Sequence, residues 1–181
     1  MHLELGGGPN KRDGYVSMDV QPWHGVTDIV HDISRPWPIG DATVERIYSA
    51  HLVEHIAWHR LWHVLAECYR VLVPGGTCEH IWPEFGRIVG LYNYQCQCVD
   101  IKTFAAKPDC PVCHGTALIS PLYLKWSMVG MQESEWDVHR NIIHEQELEH
   151  YMRQAGFVIR RTETVATNPV LCRIVGAKTC D

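Results

Sequence analysis

Three glycines and an aspartate carry the first readable chemistry in this sequence. Leu3 to Leu5 is a short apolar run that stops at Gly6, Gly7 and Gly8, and Tyr15 to Met18 is a second run that ends on Asp19. Glycines at the end of a strand let a ligand approach the backbone closely, because no Cβ stands in the way. A carboxylate at the tip of the neighbouring strand can accept hydrogen bonds from a ribose diol. Side by side, the two features suit a ligand that contains a nucleoside. A nicotinamide dinucleotide site is the natural rival. Its G-x-G-x-x-G loop would need a glycine at Pro9 or Lys11 and a full helix start, and neither is present.

Two more clusters have chemical potential. His51, Glu54 and His55 fall together, and a histidine can act as a base near neutral pH. The structural alternative is that Glu54 and His55 open a helix, where a carboxylate is favoured by the helix dipole. Cys96-Gln-Cys98 and Cys110-Pro-Val-Cys113 are two close thiol pairs eleven residues apart. Four thiolates in that arrangement suit a tetrahedral zinc ion, structural rather than catalytic because no coordination position is left open. The segment between them has few core-forming residues, so residues 96–115 read as an inserted module stapled by zinc.

The elements that must position these groups follow from periodicity and punctuation. Val26 to Val30 and Val44 to Ser49 read as further strands, ending near His31 and Asp32 and at His51. Glu54 to Leu72 reads as a helix, with Leu61, Leu65, Cys68 and Leu72 on one face, stopped at Pro74-Gly75-Gly76. Thr77 to Trp82 is a fifth strand, and a helix starts after Pro83. Glu145 to Ala155 is a helix, followed by closing strands at Phe157 to Thr164 and Val170 to Ala177 that pair as an antiparallel edge. Trp58 and Trp62, at i and i+4, read as core or subunit interface. The fold class is α/β: an open, mostly parallel sheet flanked by helices. Ligands bind such sheets outside the carboxyl ends of the strands, where Leu5, Gly6, Asp19, Asp32 and His51 all fall.

These motifs resemble the class I S-adenosylmethionine-dependent methyltransferases and their Rossmann-like fold. The likeness rests on Leu3-Glu-Leu-Gly-Gly-Gly-Pro-Asn10, Gly14-Tyr-Val-Ser-Met-Asp19, Ile47-Tyr-Ser-Ala-His-Leu-Val-Glu-His-Ile56 and Ala66-Glu-Cys-Tyr-Arg-Val-Leu-Val-Pro-Gly-Gly76, with a weaker match at His144 to Phe157. The resemblance implies that Leu5, Gly6, Gly7 and Gly8 pass under the cofactor and that Asp19 holds its ribose hydroxyls. It implies that His31 and Asp32 meet the adenine and that His51 lies beside the sulfonium, as cofactor contact and catalytic base. Trp136, His139 and His144, after the insert, would contact the substrate, or else pack beneath the insert.

Three departures from the family pattern stand out. The chain starts at the first strand, only eight residues separate Asn10 from Asp19, and the cysteine insert is additional. The short glycine connection leaves little room for a helix. The cofactor edge is then open unless the insert or a second subunit closes it, which makes a homodimer reasonable.

Composition narrows the function classes. The chain has 181 residues and a formal net charge of −5, enough for one domain, residues 1–181, with a core of its own. An acidic balance does not support long nucleic acid as the partner and favours a small molecule, sugar or nucleotide acceptor. No stretch is long and apolar enough to span a membrane, and none reads as a signal peptide. With 8 cysteines and no export signal, a reducing cytoplasm is the expected location. The reaction expected is methyl transfer from S-adenosylmethionine to an oxygen or nitrogen. The alternatives are a catalytically silent cofactor-binding module that recruits a partner, and an enzyme that cleaves the sulfonium.

Overall fold

The structure is a computed structural model, and it describes residues 1–90, 109–110, 128–130, 138–168 and 170–180. The Cys96, Cys98 and Cys113 members of the expected zinc set, and Trp136, lie outside the described residues. Cys110 is described and buried.

Seven strands form one sheet: β1 (His2–Leu5), β2 (Val16–Asp19), β3 (Ile29–Val30), β4 (Val44–Ala50), β5 (Leu72–Pro83), β6 (Val158–Thr164) and β7 (Leu171–Ala177). Their order is β3-β2-β1-β4-β5-β7-β6. The first five are mutually parallel, β7 runs antiparallel to β5, and β6 antiparallel to β7. Because β1 sits mid-sheet with β2 on one side and β4 on the other, the chain reverses direction across the sheet there. Such a switch point opens a crevice above the strand ends, and Gly6 lies directly on it.

Helix α1 (Trp58–Val71) buries Leu61, Val64, Leu65, Cys68 and Val71 against the sheet. It starts four residues later than the periodicity predicts. Val53–His55 instead forms a single 3-10 turn, and Ile56 and Ala57 are extended. Trp58 and Trp62 point outward, 65% and 50% exposed, so they are not core. The Pro74-Gly75-Gly76 stretch does not separate helix from strand. Strand β5 begins at once at Leu72 and carries the prolyl-glycyl segment as a bulge: Val44 pairs with Leu72, but Arg46 already pairs with Thr77.

Two further helices are α2 (Phe85–Gly90) and α3 (Glu145–Gln154). Leu148 and Met152 of α3 join Leu3, Leu5, Met18, Leu61, Leu65 and Trp82 in one hydrophobic cluster. None of the described helices is long and apolar enough to cross a membrane.

Residues 6–15 contain no helix. The short connection is pinned instead by side chains. The buried Glu4 carboxylate accepts the Arg12 N–H at 2.6 Å, and the Arg12 guanidinium lies 3.8 Å from the Tyr48 ring centroid. A buried carboxylate thereby gains a charge-assisted bond, and the chain reaches β2 in a few residues.

Candidate active site

A cavity of about 740 Å³ opens at the carboxyl ends of β1, β2, β3 and β4. That volume is in the range of small-molecule sites. Gly6 and Gly8 form its floor, with φ of +63° and +60°, a region that L side chains rarely adopt. A Cβ on Gly6 would come within 2.7 Å of Leu52 Cδ1, whereas a Cβ on Gly8 would meet nothing within 4 Å. The space over Gly8 is therefore open for a ligand to approach its backbone.

Asp19 is buried at the tip of β2, and its two oxygens accept the Gly8 N–H at 3.0 Å and the Gln21 N–H at 2.8 Å. Each oxygen keeps acceptor capacity for a hydroxyl. The His31 N–H donates to the Asp19 carbonyl at 2.8 Å, which ties the third strand tip to the second. His31 Nε2 is buried and has no hydrogen-bond partner among the described residues, so it offers an unused polar atom at the cavity. Asp32 Oδ1 accepts from both the Ser34 N–H, at 2.9 Å, and its hydroxyl, at 2.8 Å. Burial works to raise the Asp32 pKa, but those bonds and Arg35 hold it below the ordinary value. The carboxylate is ionised and also shapes its own turn.

His51 ends β4 in a left-handed conformation, φ +52°, with its N–H bonded to the Ile81 carbonyl at 2.9 Å. A non-glycine residue in that region is a strained position of the kind that gathers at functional sites. The ring lines the cavity, half exposed, 3.3 Å from the Glu54 carboxylate. Glu54 raises the His51 pKa, against the opposing effect of partial burial.

A family model described as a methyltransferase domain matches residues 14–79, from just before β2 into β5. Solved structures extend the likeness to almost the whole chain. A methyltransferase from Mesorhizobium loti, described as S-adenosylmethionine-dependent, superposes with a TM-score of 0.62 at 13% identity, over 98% of this chain and 90% of that one. One from Methanosarcina mazei, also described as S-adenosylmethionine-dependent, gives 0.57 at 14% identity, over 99% and 92%. The Haloferax volcanii complex of the Trm112 methyltransferase activator with a methyltransferase gives 0.64 at 15% identity, over 98% and 82%. No curated protein matches the chain by sequence. The chain has the fold of these solved methyltransferases, and its residues 14–79 match the methyltransferase-domain model.

The residues present fit S-adenosylmethionine. A strand-end aspartate keeps spare acceptor capacity, a glycine floor lies open, and a buried imidazole nitrogen lacks a partner. Six of the expected residues, Gly6, Gly8, Asp19, His31, Asp32 and His51, meet at the one cavity. Leu5 and Gly7 do not line it. Leu5 is fully buried in the core, and a Cβ on Gly7 would come within 3.1 Å of the Glu4 carboxylate and the Ser17 hydroxyl. His144 does not line it either. Its side chain caps α3 by accepting the Gln146 N–H at 3.3 Å, and it lies 3.7 Å from buried Glu84.

Further residues line the cavity, and Trp23, Ile33, Leu52 and Arg60 among them carry no mark in the sequence. Trp23 and Ile33 give it apolar walls, Leu52 and His55 come from the stretch between β4 and α1, and Arg60 comes from the first turn of α1. Arg140 arrives from far along the chain, because its N–H donates to the Glu54 carbonyl at 2.8 Å and the Asn141 N–H does so at 3.0 Å. His55 Nδ1 meets the Val138 carbonyl at 3.2 Å. Residues 138–141 are thus stitched onto the turn at 53–55, and His139 stacks edge-on against His55 with centroids 4.8 Å apart. The run Glu54-His55 was the available signal. Nothing local in the sequence showed that the segment after the insert would dock there.

Proposed function

We propose that this enzyme transfers the methyl group of S-adenosylmethionine to an oxygen or nitrogen of a small acceptor, such as a sugar, nucleotide or other small molecule. One observation carries the reading: Gly6, Gly8, Asp19, His31, Asp32 and His51, from four strand ends, surround one cavity. Bound S-adenosylmethionine supplies a methyl group on a positively charged sulfur. The protein must then align an acceptor with that carbon and take up the acceptor's proton. Asp19 accepts hydrogen bonds from the ribose, with Gly6 and Gly8 under the cofactor and His31 and Asp32 toward the adenine. His51 serves as the base, and the neighbouring Glu54 makes its neutral form more basic. His139 stands behind His55 on the acceptor side, and Trp136 completes that side in the proposal.

The zinc staple of Cys96, Cys98, Cys110 and Cys113 belongs to the same proposal, supported by ligand spacing and by the burial of Cys110. It is checked by elemental analysis of the purified protein and of Cys110→Ser. The cysteine usage also fits a reducing cytoplasm. The deciding test is incubation with S-adenosylmethionine and a panel of acceptors. S-adenosylhomocysteine that forms only with an acceptor is the expected result. Methylthioadenosine would mean cleavage, and tight binding without turnover would mean a silent, partner-recruiting module. His51→Ala should lower kcat by about 10²–10⁴, the usual contribution of a positioned base.

A further inference from the structure

Cofactor binding leaves the buried Glu54 carboxylate unexplained. Glu54 is 1% exposed, and neither carboxylate oxygen has a hydrogen-bond partner among the described residues. Its carbonyl accepts two N–H groups, from residues 140 and 141, so the turn is tied down while the carboxylate is left over. His51 stands 3.3 Å from one oxygen, but its ring is half exposed and covers one side only. An ionised carboxylate removed from water without compensation is costly.

Two imidazoles also approach Glu54. One donor atom each of Glu54, His55 and His139 lie within 4.8 Å of one another. His55 directs Nδ1 at the Val138 carbonyl, 3.2 Å away. Donation from Nδ1 leaves the lone pair on Nε2, and metal-binding histidines are oriented by this kind of backbone bond. His139 is brought up by the backbone stitching of residues 138–141 to the turn.

We infer that Glu54, His55 and His139 form a binding site for one divalent first-row cation at the wall of the cavity. Two imidazoles and a carboxylate suit Mn²⁺, Fe²⁺, Co²⁺ or Zn²⁺ better than Mg²⁺, and three protein ligands leave coordination positions open. Because His55 also lines the cavity, an open position faces the space where an acceptor would lie. There the cation would hold and polarise an acceptor oxygen. That role rests on the methyl-transfer reading; the site itself does not.

A second three-ligand cluster serves as the contrast. Cys68, Cys78 and His80 also group together, but all three are fully buried. His80 is occupied on both nitrogens, by Ser49 Oγ at 2.7 Å and Cys78 Sγ at 3.2 Å. No donor there is left over, and the cluster reads as a satisfied part of the core.

The test counts Mn²⁺ bound to the full chain by loss of the free-ion electron paramagnetic resonance signal. The protein is first dialysed briefly against a chelator, with zinc measured before and after. Mn²⁺ is chosen because thiolates take it poorly. S-adenosylhomocysteine binding is measured by calorimetry on the same samples. Wild-type protein should bind one Mn²⁺ per chain, and Glu54→Gln and His139→Ala should each weaken it at least tenfold. His139→Ala carries the test if Glu54→Gln does not fold. Uptake unchanged in both variants, or no uptake by wild type, overturns the site. S-adenosylhomocysteine bound without Mn²⁺ sinks the metal site alone. Mn²⁺ bound without S-adenosylhomocysteine sinks the cofactor reading and leaves the metal site standing.

Discussion

Two buried glutamates, Glu54 and Glu84, follow neighbouring strands and have opposite surroundings. Glu84, 2% exposed at the end of β5, accepts the Arg87 N–H at 2.7 Å on one oxygen and the Glu145 N–H at 3.1 Å on the other. Arg87 in turn binds Glu145 at 2.8 Å. One carboxylate thus serves the starts of α2 and α3 at once, satisfying N–H groups that helix starts leave over. The carboxylate of Glu54, 1% exposed after β4, accepts no hydrogen bond among the described residues. Burial alone does not distinguish a structural acid from a functional one. What its oxygens do with their lone pairs distinguishes them.

The largest effect should fall on the satisfied acid. Glu84→Ala leaves two partly buried N–H groups without their acceptor and removes one of the two carboxylates that flank Arg87. We expect a loss of about 3–4 kcal/mol of stability, in line with removal of one member of a buried charged network. Denaturant titration by circular dichroism measures it. A loss below about 1 kcal/mol would mean that Glu84 is not the clamp between α2 and α3.

Asp19 stands between the two cases, because it is satisfied by the Gly8 and Gln21 N–H groups and still has capacity to spare. Asp19→Ala should weaken S-adenosylhomocysteine binding by about 100-fold. That corresponds to roughly 2.7 kcal/mol, the size expected for charge-assisted bonds to a diol. Calorimetry checks it. Undiminished affinity would place Asp19 with Glu84, as a purely structural acid.

Glu67 sharpens the contrast through pH. It pairs with Arg70 at 2.7 and 2.8 Å and accepts the Trp37 N–H at 2.8 Å, holding residues 37–41 onto α1. The Arg70 bond, chiefly, sets its pKa below the usual value. A depressed folded pKa adds stability that is fully present above the unfolded glutamate value of about 4.3 and is lost as pH falls through the lower folded value. Glu67→Gln should therefore cost about 1–2 kcal/mol at pH 7, and the gap to wild type should close below about pH 4. A pH-independent gap would mean that the effect is packing rather than charge.

The legibility of the sequence follows the same division. The parallel strands, the closing antiparallel pair and the strand-end ligand residues were readable because each is set by a local pattern: an apolar run, a glycine stop, an acid at the tip. The start of α1 was misjudged because Ile56 and Ala57 extend the apolar pattern without being helical. Pro74-Gly75-Gly76, a bulge within β5, reads from sequence as a helix stop, since Pro-Gly-Gly signals a break without saying whether a strand has already begun. His144 was read as a substrate residue because a histidine after the insert has no local mark of a helix cap. Hidden most completely was the docking of residues 138–141 on Glu54, which lie more than eighty residues apart in sequence. Its energetics are two backbone bonds to a carbonyl, and a carbonyl is the same for every residue type.

Glu54→Gln should produce the smallest change in stability, and its sign is the informative part. Among the described residues, the half-exposed His51 ring is the ion-pair partner of the buried carboxylate in wild type without a divalent ion. The amide keeps the shape and removes the charge, so the variant should match wild type or exceed it by up to about 1 kcal/mol, as often happens when unfavourably buried charge is removed. This is the reverse of the expectation at Glu84. Adding Mn²⁺ should then separate the two proteins. An ion that binds only the folded state stabilises it by about 2.7 kcal/mol at a hundred times its Kd, so the wild-type Tm should rise while that of the variant stays flat. Thermal melts with chelator and with Mn²⁺ read both halves. A variant several kcal/mol less stable in chelator would return Glu54 to the structural class, because an acid whose loss is that damaging must already have partners in the folded chain.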